Sequence, residues 1–178
     1  LAAECSFVAR AIDTDTKHLA QMIERAARHK GTSFIEIYQN CIIFNDKAYA
    51  PLSDRDTKAE TCLYLEDGKP LLFGADKKRG IRIAENGLDP EIVTVGENGV
   101  AEADLLVHNE KGSPQYAEIL ARMWAPDWPV PMGVIRAVER PTYDESLFRQ
   151  IEDAKKRLGA GSLSAMFSEG DVWEVAPA

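Results

Sequence analysis

The sequence predicts an α/β chain in which a parallel strand-helix-strand unit at the N-terminal end is followed by a mixed hairpin and helix extension. Three observations carry that expectation. The apolar run "CSFVARAI" is short and continuous, as suits a strand covered on both faces. From Thr16 to about His29 the period changes, with Leu19, Met22, Ile23, Ala26 and Ala27 on one helical face and Lys17, Gln21, Glu24, Arg25 and Arg28 on the other. "TSFIEIYQ" then returns to a strand pattern, and a crossover of this length favours a right-handed parallel unit.

The boundaries of the unit have chemical signals. Asp13 and Asp15 are candidate N-caps, because a carboxylate accepts from the first unpaired amides of a helix, and Gly31 is placed to end that helix in a left-handed turn. After Asp46 the chain turns polar, and "DKAYAPLSDRDTKAETC" is expected to be a long surface connection with a short helix. "CLYLEDGKPLLFG" is predicted to be a hairpin, since two apolar runs flank Asp67-Gly68, a pair suited to positive φ. Strand-like pieces follow at "GIRIA" and "EIVTV", and "ADLLVHN" reads as a short strand or a buried turn. Ser113 and Pro114 open a predicted helix at "SPQYAEILARM". "MGVIRAVE" is one more strand, Thr142 to Leu158 an amphipathic helix, and the last stretch either docks through Met166, Phe167 and Trp173 or frays.

Composition narrows the function classes. The chain has 178 residues, enough for one core or for one core and a satellite, and a net charge of -8. That sign disfavours nucleic acid and anionic membrane as partners, both of which require a positive field. No apolar run approaches the ~20 residues that span a bilayer, and no signal peptide is recognisable, so a cytoplasmic location is expected. The chain starts at Leu1 with strand-like residues and reads as part of a longer polypeptide.

Cys5, Cys41 and Cys62 are far apart and form no Cys-x-x-Cys pair, so they suggest neither a disulfide framework nor a self-contained metal site. Cys41 differs from the other two in following a strand, at the carboxyl edge where open parallel sheets collect ligands. One reading is a small buried hydrophobe; the other is a thiolate ligand or a nucleophile. His18, His29 and His108 have no spacing that sets a base beside it. Asn45 and Asp46 suit an ordinary turn, and "KKR" at Lys77 to Arg79 a solvated one. No glycine-rich phosphate loop or nucleophile elbow is present.

The stretch "FVARAIDTDTKHLAQMIERAARHKGTSFIEIYQNCIIFND" resembles the beta subunits of 2-oxoacid:ferredoxin oxidoreductases, and "EIYQNC" looks most like the 2-oxoglutarate enzymes. The resemblance continues through "GKPLLFG", "DLLVHNE" and "PMGVIRAVERPTYDE", and so covers nearly all of residues 5 to 145. It implies oxidative decarboxylation of a 2-oxo acid to an acyl-coenzyme A, with thiamine diphosphate and Mg2+ as cofactors. A 4Fe-4S cluster then passes electrons to ferredoxin, and an alpha subunit is the implied partner. In such subunits four cysteines hold the cluster, one of them in the motif that "YQNC" matches, which makes Cys41 the implied metal ligand. The family's Gly-Asp-Gly thiamine segment and its other three cluster cysteines have no counterpart here.

The resemblance therefore implies the C-terminal half of a beta subunit. Residues 1 to 50 would be the end of a thiamine-diphosphate-binding α/β domain, and residues 51 to 178 a C-terminal extension. The piece alone is expected to be inactive, to hold no catalytic residue, to bind neither thiamine diphosphate nor a cluster, and to self-associate. Pyruvate or branched-chain 2-oxo acid enzymes are the alternatives within the family. An electron-transfer or subunit-scaffold module without a thiamine site is the alternative outside it.

Overall fold

The computed structural model describes residues 1–171, 173 and 175–176. They form two compact units, Leu1–Arg140 and Pro141–Ala178. The first opens with the expected unit: strand β1 (Phe7–Ile12), helix α1 (Thr16–Arg28) and strand β2 (Ser33–Tyr38). β1 and β2 are adjacent and parallel, in register from Phe7 opposite Ser33 to Ile12 opposite Tyr38. Asp15 is the cap that forms, accepting from the His18 amide at 3.2 Å. Gly31 has φ +136, outside the narrow left-handed helical region, and a Cβ there would collide with the Ser6 hydroxyl. It is needed because Ser6 grips the crossover, accepting from the Thr32 amide and donating to the Thr32 carbonyl.

Two one-turn helices, α2 (Ala50–Ser53) and α3 (Lys58–Thr61), lead to β3 (Cys62–Tyr64). Then follow β4 (Leu72–Phe73), β5 (Arg79–Ile83) and β6 (Pro90–Thr94), helix α4 (Pro114–Arg122) and β7 (Val130–Ala137). Ser113 caps α4 as its sequence signals, accepting from the Tyr116 amide. The larger sheet has the order β2-β1-β7-β3, and the smaller one is an antiparallel β4-β5-β6. β7 runs antiparallel to β1 and parallel to β3. Buried apolar clusters line the larger sheet. One contains Leu63, Phe73, Ile81 and Leu120; another, Phe7, Ala9, Met22 and Val134, packs α1 against β1.

The hairpin expected over "CLYLEDGKPLLFG" does not form. Asp67-Gly68 is a turn with Gly68 at φ +74, but the runs beside it join different sheets. The reason lies in residues 105–110. They wedge beside the turn and take its bonds, with the Gly68 amide donating to the His108 carbonyl, the His108 amide to Lys69 and the Leu71 amide to Leu106. True hairpins occur one strand later, between β4 and β5 and between β5 and β6.

The second unit contains helix α5 (Tyr143–Leu158) and the short helix α6 (Leu163–Ser168). Thr142 and Glu145 close a capping box at the start of α5, each side chain bonded to the other's backbone amide. Met166 and Phe167 fall on α6, whereas Trp173 is in no regular element. Residues 172, 174, 177 and 178 of the final stretch lie outside the described residues.

Candidate functional site at the carboxyl end of the parallel strands

Because β1 and β2 are parallel, their carboxyl ends open on the same side, and the segments leaving them border two small clefts of about 200 Å³ each. One has Asp13, Thr14, Asn40, Lys47 and Asp54 on its walls; the other has Asp15, Lys17, Lys58 and Tyr64. The Tyr64 hydroxyl donates to Asp15 Oδ2 at 3.1 Å, so the residue that caps α1 also ties that helix to β3. Burial and the neighbouring acidic groups hold the Tyr64 phenol above its ordinary value, which keeps it a donor.

Cys41 stands three residues past the end of β2 and is exposed. A polar clasp closes the base of its loop. The Asn40 side-chain amide donates to Asp46 Oδ1 at 3.0 Å, and Asn40 Oδ1 accepts from the Lys47 amide at 2.7 Å. Inside the clasp the Asn45 amide donates to the Cys41 carbonyl at 2.9 Å. The loop therefore holds its shape while presenting Cys41, Ile42, Ile43 and Phe44 outward, the last three at 77, 82 and 89% exposure. Asn45 and Asp46 are turn formers as the sequence indicates, and Asp46 also fastens the clasp.

The other thiols have different surroundings. Cys5 precedes β1, so it lies at the opposite end of the sheet, bonded to the Phe7 and Thr32 carbonyls. Cys62 starts β3 and is buried with Ile12, Tyr38, Leu52, Val130 and Met132. Burial pushes its thiol up to about 11, which disfavours the thiolate that metal binding requires. Among the described residues, no group of three or more His, Cys, Asp or Glu side chains is arranged to hold a metal ion. What the chain offers at this edge is one exposed thiol on a braced loop.

Two of the histidines are bonded into the fold. His108 Nε2 is 2.8 Å from the Val134 carbonyl and its Nδ1 is 3.1 Å from the Tyr116 hydroxyl, while His29 meets Ser6 Oγ. His18 packs edge-on against Tyr64. Lys77 and Lys78 of the "KKR" cluster lie in the connection between β4 and β5, whereas Arg79 opens β5 and folds over the Phe73 ring and onto Glu60.

Two features were illegible in the sequence. Arg10, inside the apolar strand β1, is buried; it pairs with Glu36 at 2.8 Å, donates to the Ala121 carbonyl and lies over the rings of Tyr38 and Trp124. Arg25 on α1 grips Glu110 with two bonds of 2.8 and 2.6 Å, bordering a cleft of about 670 Å³ that also contains His18, Glu66 and Asp67. Alternation flags Arg10 only as a charge in a buried strand, and no local pattern links Arg25 to a carboxylate so remote in sequence.

No family model matches the chain. It is nevertheless similar to subunits of 2-oxoacid oxidoreductases. The 2-oxoglutarate oxidoreductase subunit KorB of Mycobacterium tuberculosis is 30% identical over 98% of the chain and 47% of that protein. The 2-oxoacid:ferredoxin oxidoreductase subunit beta of Saccharolobus solfataricus is 44% identical over 41 residues, which cover 23% of the chain and 13% of that protein. In fold, the chain is similar to a 2-oxoglutarate:ferredoxin oxidoreductase from Magnetococcus marinus, solved with 2-oxoglutarate, coenzyme A and succinyl-CoA bound. The TM-score is 0.51 at 17% identity, over 93% of this chain and 41% of that one. The chain thus spans about half the length of KorB. No helix among the described residues is long and apolar enough to cross a membrane.

Proposed function

We propose that the chain is the C-terminal half of a beta subunit of a cytoplasmic 2-oxoglutarate:ferredoxin oxidoreductase, which works with an alpha subunit. The observation that carries this reading is the 30% identity to KorB along nearly the whole chain. Residues 1 to 50 then end a thiamine-diphosphate-binding domain and residues 51 to 178 extend it. The complete enzyme converts 2-oxoglutarate and coenzyme A into succinyl-coenzyme A, carbon dioxide and a proton, the one the thiol gives up. The two electrons released leave one at a time for two molecules of oxidised ferredoxin. Thiamine diphosphate with Mg2+ supplies the decarboxylation chemistry when bound, and a 4Fe-4S cluster the single-electron path.

The chain's own share of this work is positional. Cys41 gives one thiolate to the cluster, and the Asn40, Asp46 and Lys47 clasp fixes where that sulfur sits. Arg10, with Glu36 and the Tyr38 and Trp124 rings, anchors the strand ends from which the loop springs. With one matching thiol and no thiamine segment, the chain by itself is inactive and binds neither group.

The test is the complete subunit purified with its alpha partner. Coenzyme A-dependent reduction of a ferredoxin or viologen dye is expected with 2-oxoglutarate and at least ~10-fold less with pyruvate or a branched-chain 2-oxo acid. The reverse preference would assign a sibling enzyme, and no reduction with any 2-oxo acid would leave a scaffold or electron-transfer module. Cys41→Ser in the same complex is expected to lose the 4Fe-4S electron paramagnetic signal, because a hydroxyl replaces a thiolate poorly. An undiminished signal and activity would remove Cys41 from the ligand set.

A further inference from the structure

We infer that the outer edge of β2 and the Ile42–Phe44 loop together form the seam to which the remainder of the same subunit attaches, by adding a strand beside β2. The inference rests on the reading of this chain as one part of a longer subunit.

The hydrogen-bond pattern defines the open edge. The carbonyls of Thr32 and Tyr38 accept from the Phe7 and Asp13 amides, so the even positions of β2 turn toward β1. In a parallel ladder a residue's N-H and C=O point to the same side, so Ser33, Ile35 and Ile37 direct theirs away from β1. Among the described residues no strand pairs on that side. Edges meant for solvent are blunted by lysine, proline or a bulge. "SFIEIY" has none of these, and its one charge, Glu36, is already bound to Arg10 at 2.8 Å.

Apolar exposure gathers at the same edge on both faces of the sheet. Phe34, 58% exposed, shares its face with Glu36 and Tyr38, while Ile37 at 45% lies on the opposite face, on the α1 side, where Ile23 is 49% exposed. A partner touching one face would leave the other uncovered. A strand continuing the sheet, flanked by its own helices, covers both. Ile42, Ile43 and Phe44 prolong the patch past the strand end. The occupant is the rest of the polypeptide rather than a second copy, because KorB matches this chain over 98% of the chain yet only 47% of itself. The relative therefore has about as much sequence again with which to build the missing neighbour.

Hydrogen exchange on the complete subunit and on this chain alone tests the seam. In the complete subunit the amides of Ser33, Ile35 and Ile37 are expected to exchange at least ~100-fold more slowly than in the separate chain, independently of protein concentration. Equal exchange in a complete subunit that still reduces dye with a 2-oxo acid would overturn the seam and leave the function standing. Protection that appears only as concentration rises would assign the edge to a second copy and also overturn the proposal. As a second readout, Phe34→Lys is expected to lower the melting temperature of the complete subunit by more than ~4 °C and that of the separate chain by less than ~1 °C. Equal shifts in both would count against the seam.

Discussion

Cys62 and Cys41 stand at the same end of the four-stranded sheet in opposite surroundings. Around Cys62 the chain has folded inward: Ile12, Tyr38, Leu52, Val130 and Met132 close over the sulfur, and Tyr49 stacks on Tyr38 at 4.7 Å between ring centroids. Around Cys41 the chain has been pushed outward and then clamped, so that three large apolar side chains face solvent on a loop held by side-chain bonds. The difference shows that the same residue type at one sheet edge is filler in a packed corner and a displayed group on a braced loop. The bracing decides which, because exposure without fixed geometry positions nothing.

The largest effect separating the two places is packing. Met132, fully buried in the cluster that closes over Cys62, is expected to cost ~2–5 kcal/mol when replaced by alanine, as urea denaturation would measure. A loss under ~1 kcal/mol would mean that the corner is looser than its burial indicates.

Thiol chemistry sharpens the contrast next. With its thiol pushed up to about 11, Cys62 is expected to react with a disulfide reagent at pH 8 at least ~100-fold more slowly than exposed Cys41. Comparable rates in the folded chain would break the comparison.

A smaller effect arises from the histidines on the inner side. His18 and His108 are both held below the ordinary histidine value, chiefly by burial, although Asp15 opposes the shift for His18 and the Val134 carbonyl for His108. As pH falls, the unfolded chain therefore takes up protons before the folded chain does. Stability from these groups is complete above pH ~6.5 and is lost as pH falls below that value toward the folded pKa values. A melting temperature that drops between pH ~7 and ~5, with the drop reduced in His108→Asn, is the expected result. An imidazole signal of His108 titrating above pH 6.5 would contradict it. Smallest of all, Ile43→Ser on the open loop is expected to change the stability of this chain by less than ~0.5 kcal/mol.

The sequence made the first forty residues legible because their signals are local. The change from strand to helical period, Asp15 as a cap and the return to a strand pattern at "TSFIEIYQ" all act within a few residues of one another, and they also located Cys41 past a strand end. The 62–73 segment was misleading for the complementary reason. Its turn chemistry is right, but the partners of its two apolar runs are chosen by residues 105–110 and by β7, which no nearby residue announces. Arg10 and the Arg25–Glu110 pair escaped on the same ground, since each acquires meaning only from side chains brought in by the tertiary fold.

The position of β7 also sets an order of events in time. β1 and β3 share a sheet only through β7, which runs between them and is made last of the four strands. On a ribosome adding ~5–20 residues per second, the β1 and β3 segments wait several seconds for Val130–Ala137 before the sheet can close. During that interval the flank of β1 that β7 later occupies is open to pairing with a non-native neighbour.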